Sequence, residues 1–282
     1  MILFALRCDK AVYAGVIVWN LEERSCIASL RGTGAVSAVE FVKQNSVLVG
    51  YSDGGVSFFS LHGEKKLLHR WNNHTSQIVG IFVSAMPEAV FISRDQTLSV
   101  VNIDTMEKIK VLPLFEPIES AVVVQGSLFT VGEEGVLKCW NLQNAKLLKS
   151  ANISTCRVDT VLYNASRGKF LLATSDFNVF LVHEETFKIE RQFVGFNDQI
   201  FDICYIGTEH QYLVVATNSA DLRLYDTTNW SCRLITGTSF FMRFVLCNSS
   251  KKRILSRGCL CVCLSAATCP RLSTREPQKL GS

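Results

Sequence analysis

A block with the pattern of a short strand recurs about every forty residues along this chain, and that period constrains the fold more than any single residue does. The blocks are Gly15–Leu21, Gly55–Leu61, Thr97–Ile103, Gly135–Leu142, Asn178–Glu184 and Asp221–Thr227. Aligned on their bulky residue, the anchors Trp19, Phe59, Val101, Trp140, Val182 and Tyr225 are separated by 40, 42, 39, 42 and 43 residues. A unit of that size cannot bury its own apolar face, so neighbouring units must stack and share a core. The chain therefore reads as one array rather than as two unrelated domains. An array of this kind is first a surface for partners, and the search for function starts there.

Between anchors, each unit resolves into short apolar runs split by turn residues. Ala35–Phe41 alternates, Ser46–Tyr51 follows, Ser52-Asp53-Gly54-Gly55 turns, and Val56–Leu61 closes the unit. The same rhythm predicts strands at 77–83, 89–93 and 97–103, then at 119–124, 127–131 and 136–142. It continues at 160–163, 170–174 and 179–183, then at 200–206, 212–217 and 222–226. Short strands joined by Asp- and Gly-containing turns make an antiparallel meander, because Gly accepts positive φ and Asp caps local donors. The predicted fold class is all-β: a WD-repeat β-propeller of four-stranded antiparallel blades, incomplete at both ends, with about five full blades. Residues 1–246 are assigned to the propeller, with Phe240–Leu246 as one further strand, and residues 247–282 to an irregular Cys-rich tail.

Composition narrows the class. Hydrophobic content of 48% and aromatic content of 10% suffice for an extended core, and a net charge of +4 does not define a nucleic-acid site. Eleven cysteines without a secreted spacing, some inside strand patterns such as Cys139 and Cys204, read as free thiols of a reducing compartment. Met1–Arg7 lacks the features of a secretory leader, and no apolar run reaches the roughly 18 residues of a membrane span. The Asn-x-Ser/Thr triplets at Asn73, Asn152, Asn164, Asn229 and Asn248 accordingly read as unglycosylated.

Trp19-Asn20, Trp140-Asn141 and Tyr225-Asp226 resemble the Trp-Asp ending of WD repeats, and Asn73-His74-Thr75 resembles their Gly-His element. Asp53, Asp95 and Asp176 stand where that family places a turn Asp. The resemblance implies a buried chain of Asp, His, Ser/Thr and Trp in each blade, but no blade here keeps the set. His74 is expected to pair with Ser93 and Asp95 above Val101, and Trp140 has Glu133 or Glu134 in place of Asp. Val111–Val122, Phe193–Asp202 and Val215–Leu222 are further similar, in order and spacing, to the transducin beta-like proteins of the small-subunit processome. That resemblance implies tandem propellers and a helical tail acting in the nucleolus on ribosomal RNA precursors. This chain would cover most of the first propeller, as a fragment, truncated isoform or mispredicted product, less stable than its full-length relative because two sheet edges stay open.

The residues that invite catalysis or metal binding have plainer readings. Cys259, Cys261, Cys263 and Cys269 lack the Cys-x₂-Cys spacing of common zinc sites and have no nearby His. His62, His69, His74, His183 and His210 lie in different units, and Glu133-Glu134 and Glu184-Glu185 are sequence neighbours at turns rather than carboxylates facing across a substrate. Lys65-Lys66 and Lys251-Lys252-Arg253 could meet phosphate, yet as short separate clusters they read as solvated loops. No Gly-rich loop cradles a nucleotide phosphate. No catalytic, cofactor-binding or metal residue is assigned, and no cofactor, membrane or small-molecule substrate is expected.

The expected function is a non-catalytic scaffold in small-subunit ribosome biogenesis, supporting pre-rRNA processing within the U3 snoRNP and located in the nucleolus. Its expected partners are other propeller subunits of the processome, with pre-rRNA or U3 small nucleolar RNA besides. The alternatives are an adaptor that recruits substrates to a ubiquitin ligase, or a propeller enzyme. The enzyme would require three or more ionisable groups meeting at the central channel, where the predicted inner strands are mainly apolar.

Overall fold

The computed structural model describes residues 3–7, 15–20, 23, 25–42, 45–64, 66–85, 87–207, 210–219 and 222–235. The first sheet has three strands, β1 (Leu3–Arg7), β2 (Gly15–Asn20) and β3 (Ser25–Arg31). Five four-stranded antiparallel sheets follow. The second holds β4 (Val36–Val42), β5 (Ser46–Tyr51), β6 (Val56–Ser60) and β7 (Leu67–Trp71). The third holds β8 (Ile78–Ala85), β9 (Glu88–Ser93), β10 (Thr97–Asn102) and β11 (Lys108–Pro113), and the fourth β12 (Ile118–Val124), β13 (Ser127–Gly132), β14 (Val136–Asn141) and β15 (Leu147–Asn152). The fifth holds β16 (Val158–Asn164), β17 (Lys169–Thr174), β18 (Val179–His183) and β19 (Ile189–Phe193), and the sixth β20 (Ile200–Ile206), β21 (Tyr212–Thr217), β22 (Leu222–Asp226) and β23 (Cys232–Ile235). The expected strand Phe240–Leu246 and the tail 247–282 lie outside the described residues.

Each sheet is a meander, and the blades follow one another in chain order. The innermost strands β4, β8, β12, β16 and β20 stand side by side along the array. The core is divided between successive sheets. Val16, Val18 and Leu30 of the first sheet share a cluster with Val39, Val47 and Val49 of the second. Leu48 and Trp71 meet Ile78 and Phe91, and Ile92 and Leu98 meet Ile118 and Leu128. Phe129 and Leu137 meet Phe170 and Val182, and Leu171 and Leu181 meet Ile203 and Leu213. Thus one face of each inner sheet packs on the sheet before it and the other on the sheet after it. That is why β5, β9, β13 and β17 read as unbroken apolar runs with nearly every residue buried. All-β propeller architecture follows from this packing.

The anchors owe their spacing to a turn. Each lies on the third strand of its blade (β2 in the first sheet), one residue before a side chain that caps the turn into the outer strand. Asn20 accepts from Glu23 N, Ser60 from His62 N, Asn102 from Asp104 N, Asn141 from Gln143 N, His183 from Glu185 N and Asp226 from Thr228 N. The last turn residue adopts positive φ at Met106, Ala145, Phe187 and Trp230, while the longer turn of the second sheet has its positive φ at Gly63, and the register then shifts at Phe59, Val101, Trp140 and Val182, a turn-plus-bulge connection. A second left-handed position recurs at Gly54, Gln96, Gly135 and Phe177, in the turn between the second and third strands. At Gly135 a Cβ would stand 2.1 Å from the Ser154 carbonyl oxygen, so this turn abuts the loop leading into the next blade.

Candidate binding surface

The turns between second and third strands and the loops leading into each innermost strand gather at one end of the array. Two of those loops are pinned by buried side chains. In the third sheet His74 is 5% exposed, and its Nδ1 lies 3.2 Å from Asp95 Oδ2 and 2.9 Å from Thr97 Oγ1. Its Nε2 is 2.8 Å from Ser99 Oγ. A neutral ring that donates from Nδ1 and accepts the Ser99 hydroxyl satisfies both nitrogens. Burial lowers the His74 pKa and outweighs the pull of Asp95, which favours that neutral ring. Burial works to raise Asp95, but donation from Thr97, from the Thr75 backbone and from His74 holds it below its ordinary value. The expected His74–Asp95 pair is present. The expected His74–Ser93 pair is not: Ser93 donates to the Ser76 carbonyl and accepts from Asp95 N, while Ser99 on the neighbouring strand takes its place.

The fourth sheet replaces His with a carboxylate. Trp140 Nε1 donates to Thr130 Oγ1 at 2.8 Å, and Thr130 donates to Glu116 Oε1 at 2.9 Å. Lys138 bridges the other Glu116 oxygen to Glu134, 3.0 Å away. Burial disfavours the Lys138 charge, yet the two glutamates overcome it and raise the lysine pKa. The sequence offers Glu133 or Glu134 in place of the turn Asp; the side chain that completes the chain is Glu116, with Glu134 one step further out. In the second sheet the turn Asp53 instead binds Arg70 at 3.0 Å, and Arg70 also donates to Thr33.

These pins fix what the loop end presents. Leu114 and Glu116 are buried on either side of Phe115, which adopts φ 57° and is 80% exposed. Two buried neighbours hold an aromatic side chain outward in a conformation that a non-glycine residue adopts at a cost. On another loop of the same end Val194 is 66% exposed. Arg94 pairs with Glu119, and Arg157 with Asp159 at 2.6 Å. Several ionisable groups thus lie near one another where β12 and β16 begin, and they are opposite charges in pairs. The surface they form, an outward aromatic among paired ions, is chemically suited to binding a protein.

The other residues singled out in the sequence do not converge. His69 stacks edge-on with Trp71 at 4.6 Å, His62 is exposed, and His183 and His210 sit in separate blades. Glu184 accepts from Tyr163 at 2.5 Å, and Glu185 is exposed. Lys66 is exposed, whereas Lys65, Lys251–Arg253 and the Cys259–Cys269 run lie outside the described residues. The described cysteines form no disulfide with one another, with Cys139 buried and Cys204 half-buried. Among the described residues no three metal-ligating side chains cluster, and no helix is long and apolar enough to cross a membrane.

No family model matches the chain. It is similar to transducin beta-like protein 3 of Bos taurus, 24% identical over 256 residues that cover 82% of this chain and 31% of that protein. It is also similar to WD repeat-containing protein 36 of Homo sapiens, 33% identical over 97 residues, covering 34% of this chain and 11% of that one. The crystal structure of the computationally designed Ika8 protein superposes with a TM-score of 0.64 over 79% of this chain and 69% of that chain. At 18% identity that likeness concerns the fold alone. With meandering blades, capped anchors and these relatives on hand, the chain has the fold of a WD-repeat propeller and is similar to WD-repeat proteins. Within that class its similarity lies with the transducin beta-like proteins, of whose length it spans about a third.

Proposed function

We propose that this chain is a non-catalytic scaffold in small-subunit ribosome biogenesis, acting in the nucleolus by docking another propeller subunit on the loop end that carries Phe115. The similarity to transducin beta-like protein 3 over 82% of the chain supports this reading. The Ser99–His74–Asp95 chain is buried beneath the loop end, with Ser99 at 0% and His74 at 5% exposure, so it pins a loop rather than offering a reacting group, which supports the non-catalytic part. Exposed aromatic anchors commonly dominate such interfaces.

The test is affinity purification of the tagged chain from nucleolar extract, with Phe115→Asp in parallel and with nuclease treatment. Wild type is expected to retain propeller proteins of the early small-subunit particle after nuclease, together with U3 and precursor rRNA before it. Phe115→Asp is expected to lose the propeller partner while keeping its thermal midpoint. Recovery of ubiquitin-ligase subunits without ribosomal precursors would overturn the proposal in favour of the adaptor.

A further inference from the structure

Opposite the His74 end, between the fifth and sixth sheets, lies a polar cavity of about 230 Å³. Its floor is Asn164, Leu181 and Tyr205, all buried. Asn164 is 0% exposed; its oxygen accepts from Ser166 at 2.7 Å, while its amide nitrogen lies beside the Tyr205 hydroxyl without closing a hydrogen bond. A buried donor left unmatched at a cavity floor costs about 1–3 kcal/mol unless something else accepts from it.

The rim is cationic. Arg167 donates to the Thr227 carbonyl at 2.6 Å, Lys169 pairs with Glu190, and Arg191 lies 5.8 Å from the centre of the Trp230 ring. Among the lining residues three cations stand against the single Glu190, an excess of +2, with Glu184 beside Gly168 and Asp226 behind Trp230 just outside the lining. Trp230 is held over the cavity by a positive φ of 60° and by its own amide donating to the Asp226 carbonyl at 2.7 Å.

We propose that this cavity receives a phosphorylated side chain of a protein partner. A phosphoryl group carries about −1.5 to −2 charge near neutral pH, which matches the excess of the rim, and offers acceptor oxygens for Arg167, Arg191 and the Asn164 amide. The Trp230 face and Leu181 cover the carbon stem that bears it. The volume is below the ~300 Å³ at which drug-sized ligand pockets begin, so it suits one side chain. A nucleic-acid strand fits less well, because it needs a continuous basic track. Here Glu184 stands against Gly168, between Arg167 and Lys169, and Asp226 belongs to the turn that carries Trp230. The assignment goes beyond the ribosomal reading and does not depend on it.

The full chain is titrated with O-phospho-L-serine, followed by the indole N–H resonance of Trp230 and by the thermal midpoint, with L-glutamate, inorganic phosphate and a short single-stranded RNA in parallel. Phosphoserine is expected to bind saturably and more tightly than the other three. Arg191→Gln, on the exposed rim, is expected to weaken it about ten-fold or more, the loss of one charge-assisted contact, with an unchanged midpoint in the absence of ligand. No saturable shift, or one unaltered by Arg191→Gln, overturns the proposal. Inorganic phosphate binding as tightly would reassign the cavity to the free ion, and tighter RNA binding that phosphoserine displaces would reassign it to nucleic acid; either outcome removes the partner side chain.

Discussion

Glu116 is 5% exposed, and Lys138 supplies its counter-charge at the cost of becoming largely buried itself. Replacing Lys138 with Met would strand the carboxylate. A fully buried pair broken this way costs about 3–5 kcal/mol; Lys138 keeps 17% exposure, so we expect about 2 kcal/mol or more. Adding Glu116→Gln should recover most of it, because the amide still accepts from Thr130 and carries no charge. Urea denaturation of the single and double variants checks this, and equal loss in both would sink it. His74 gives a pH signature. Its folded pKa lies below the ordinary 6.5, so the unfolded chain binds the proton first as pH falls. That contribution is complete above 6.5 and is lost on the way down to the depressed value. Asp95, depressed below 3.8, loses its share only under stronger acid. His210, also lowered by burial, acts in the same direction. His74→Gln should therefore flatten, without abolishing, the fall of thermal midpoint between neutrality and mild acid. His74 and Asp95 were legible in the sequence because their residue types sit at a recognisable spacing. Glu116 was not: before Pro117 it reads as an ordinary solvated loop charge. Its burial exists only once Lys138, 22 residues on, arrives from β14.

Inner and outer strands differ in how plainly they announce themselves. The three strands predicted in each later unit are present within a residue or two, since β5, β9, β13, β17 and their partners carry apolar or alternating runs. The outer strands β7, β11, β15, β19 and β23 complete the predicted four-stranded blades, but no apolar or alternating run marks their residues in the sequence. Lys108–Pro113 and Leu147–Asn152 mix lysines with exposed apolar residues, a pattern of neither a core strand nor a helix. Their structure is imposed by pairing to the strand inside them, as where Ser99 faces Val111 and Leu98 faces Leu112. The lysines suit an edge, where charge discourages pairing with another chain. Stability should follow the same division. Leu98→Ala, at a fully buried site, is expected to cost about 2–5 kcal/mol. Ile109→Thr and Val111→Thr, at 49% and 40% exposure, should each stay within about 0.5 kcal/mol. Midpoints of urea unfolding decide it, and an outer substitution as costly as Leu98→Ala would mean that β11 is covered rather than an edge.

Across the whole molecule each sheet owes its core to its neighbours, and the clusters run in sequence from the first sheet to the sixth. The forty-residue period made that order readable in the primary structure, because a small sheet with two apolar faces has to be flanked on both. Damage to one interface should then be felt locally, as in other arrays whose stability is a sum of units and nearest-neighbour contacts. Phe170 offers the sharpest test. It is 0% exposed between the fourth and fifth sheets, with ring centres of Phe129 at 4.6 Å, Tyr163 at 5.1 Å and Phe187 at 6.4 Å. Phe170→Ala removes about 3–5 kcal/mol from that interface. In native-state hydrogen exchange the amides of β12–β19 should lose protection by an amount near the global loss. Those of β4–β11, buried against other partners, should retain most of theirs, because openings that break only the weakened interface become the cheapest ones. A uniform fall in protection from β4 to β22 would instead show that the blades unfold as one cooperative body. The nearest-neighbour description of this array would then have to be abandoned.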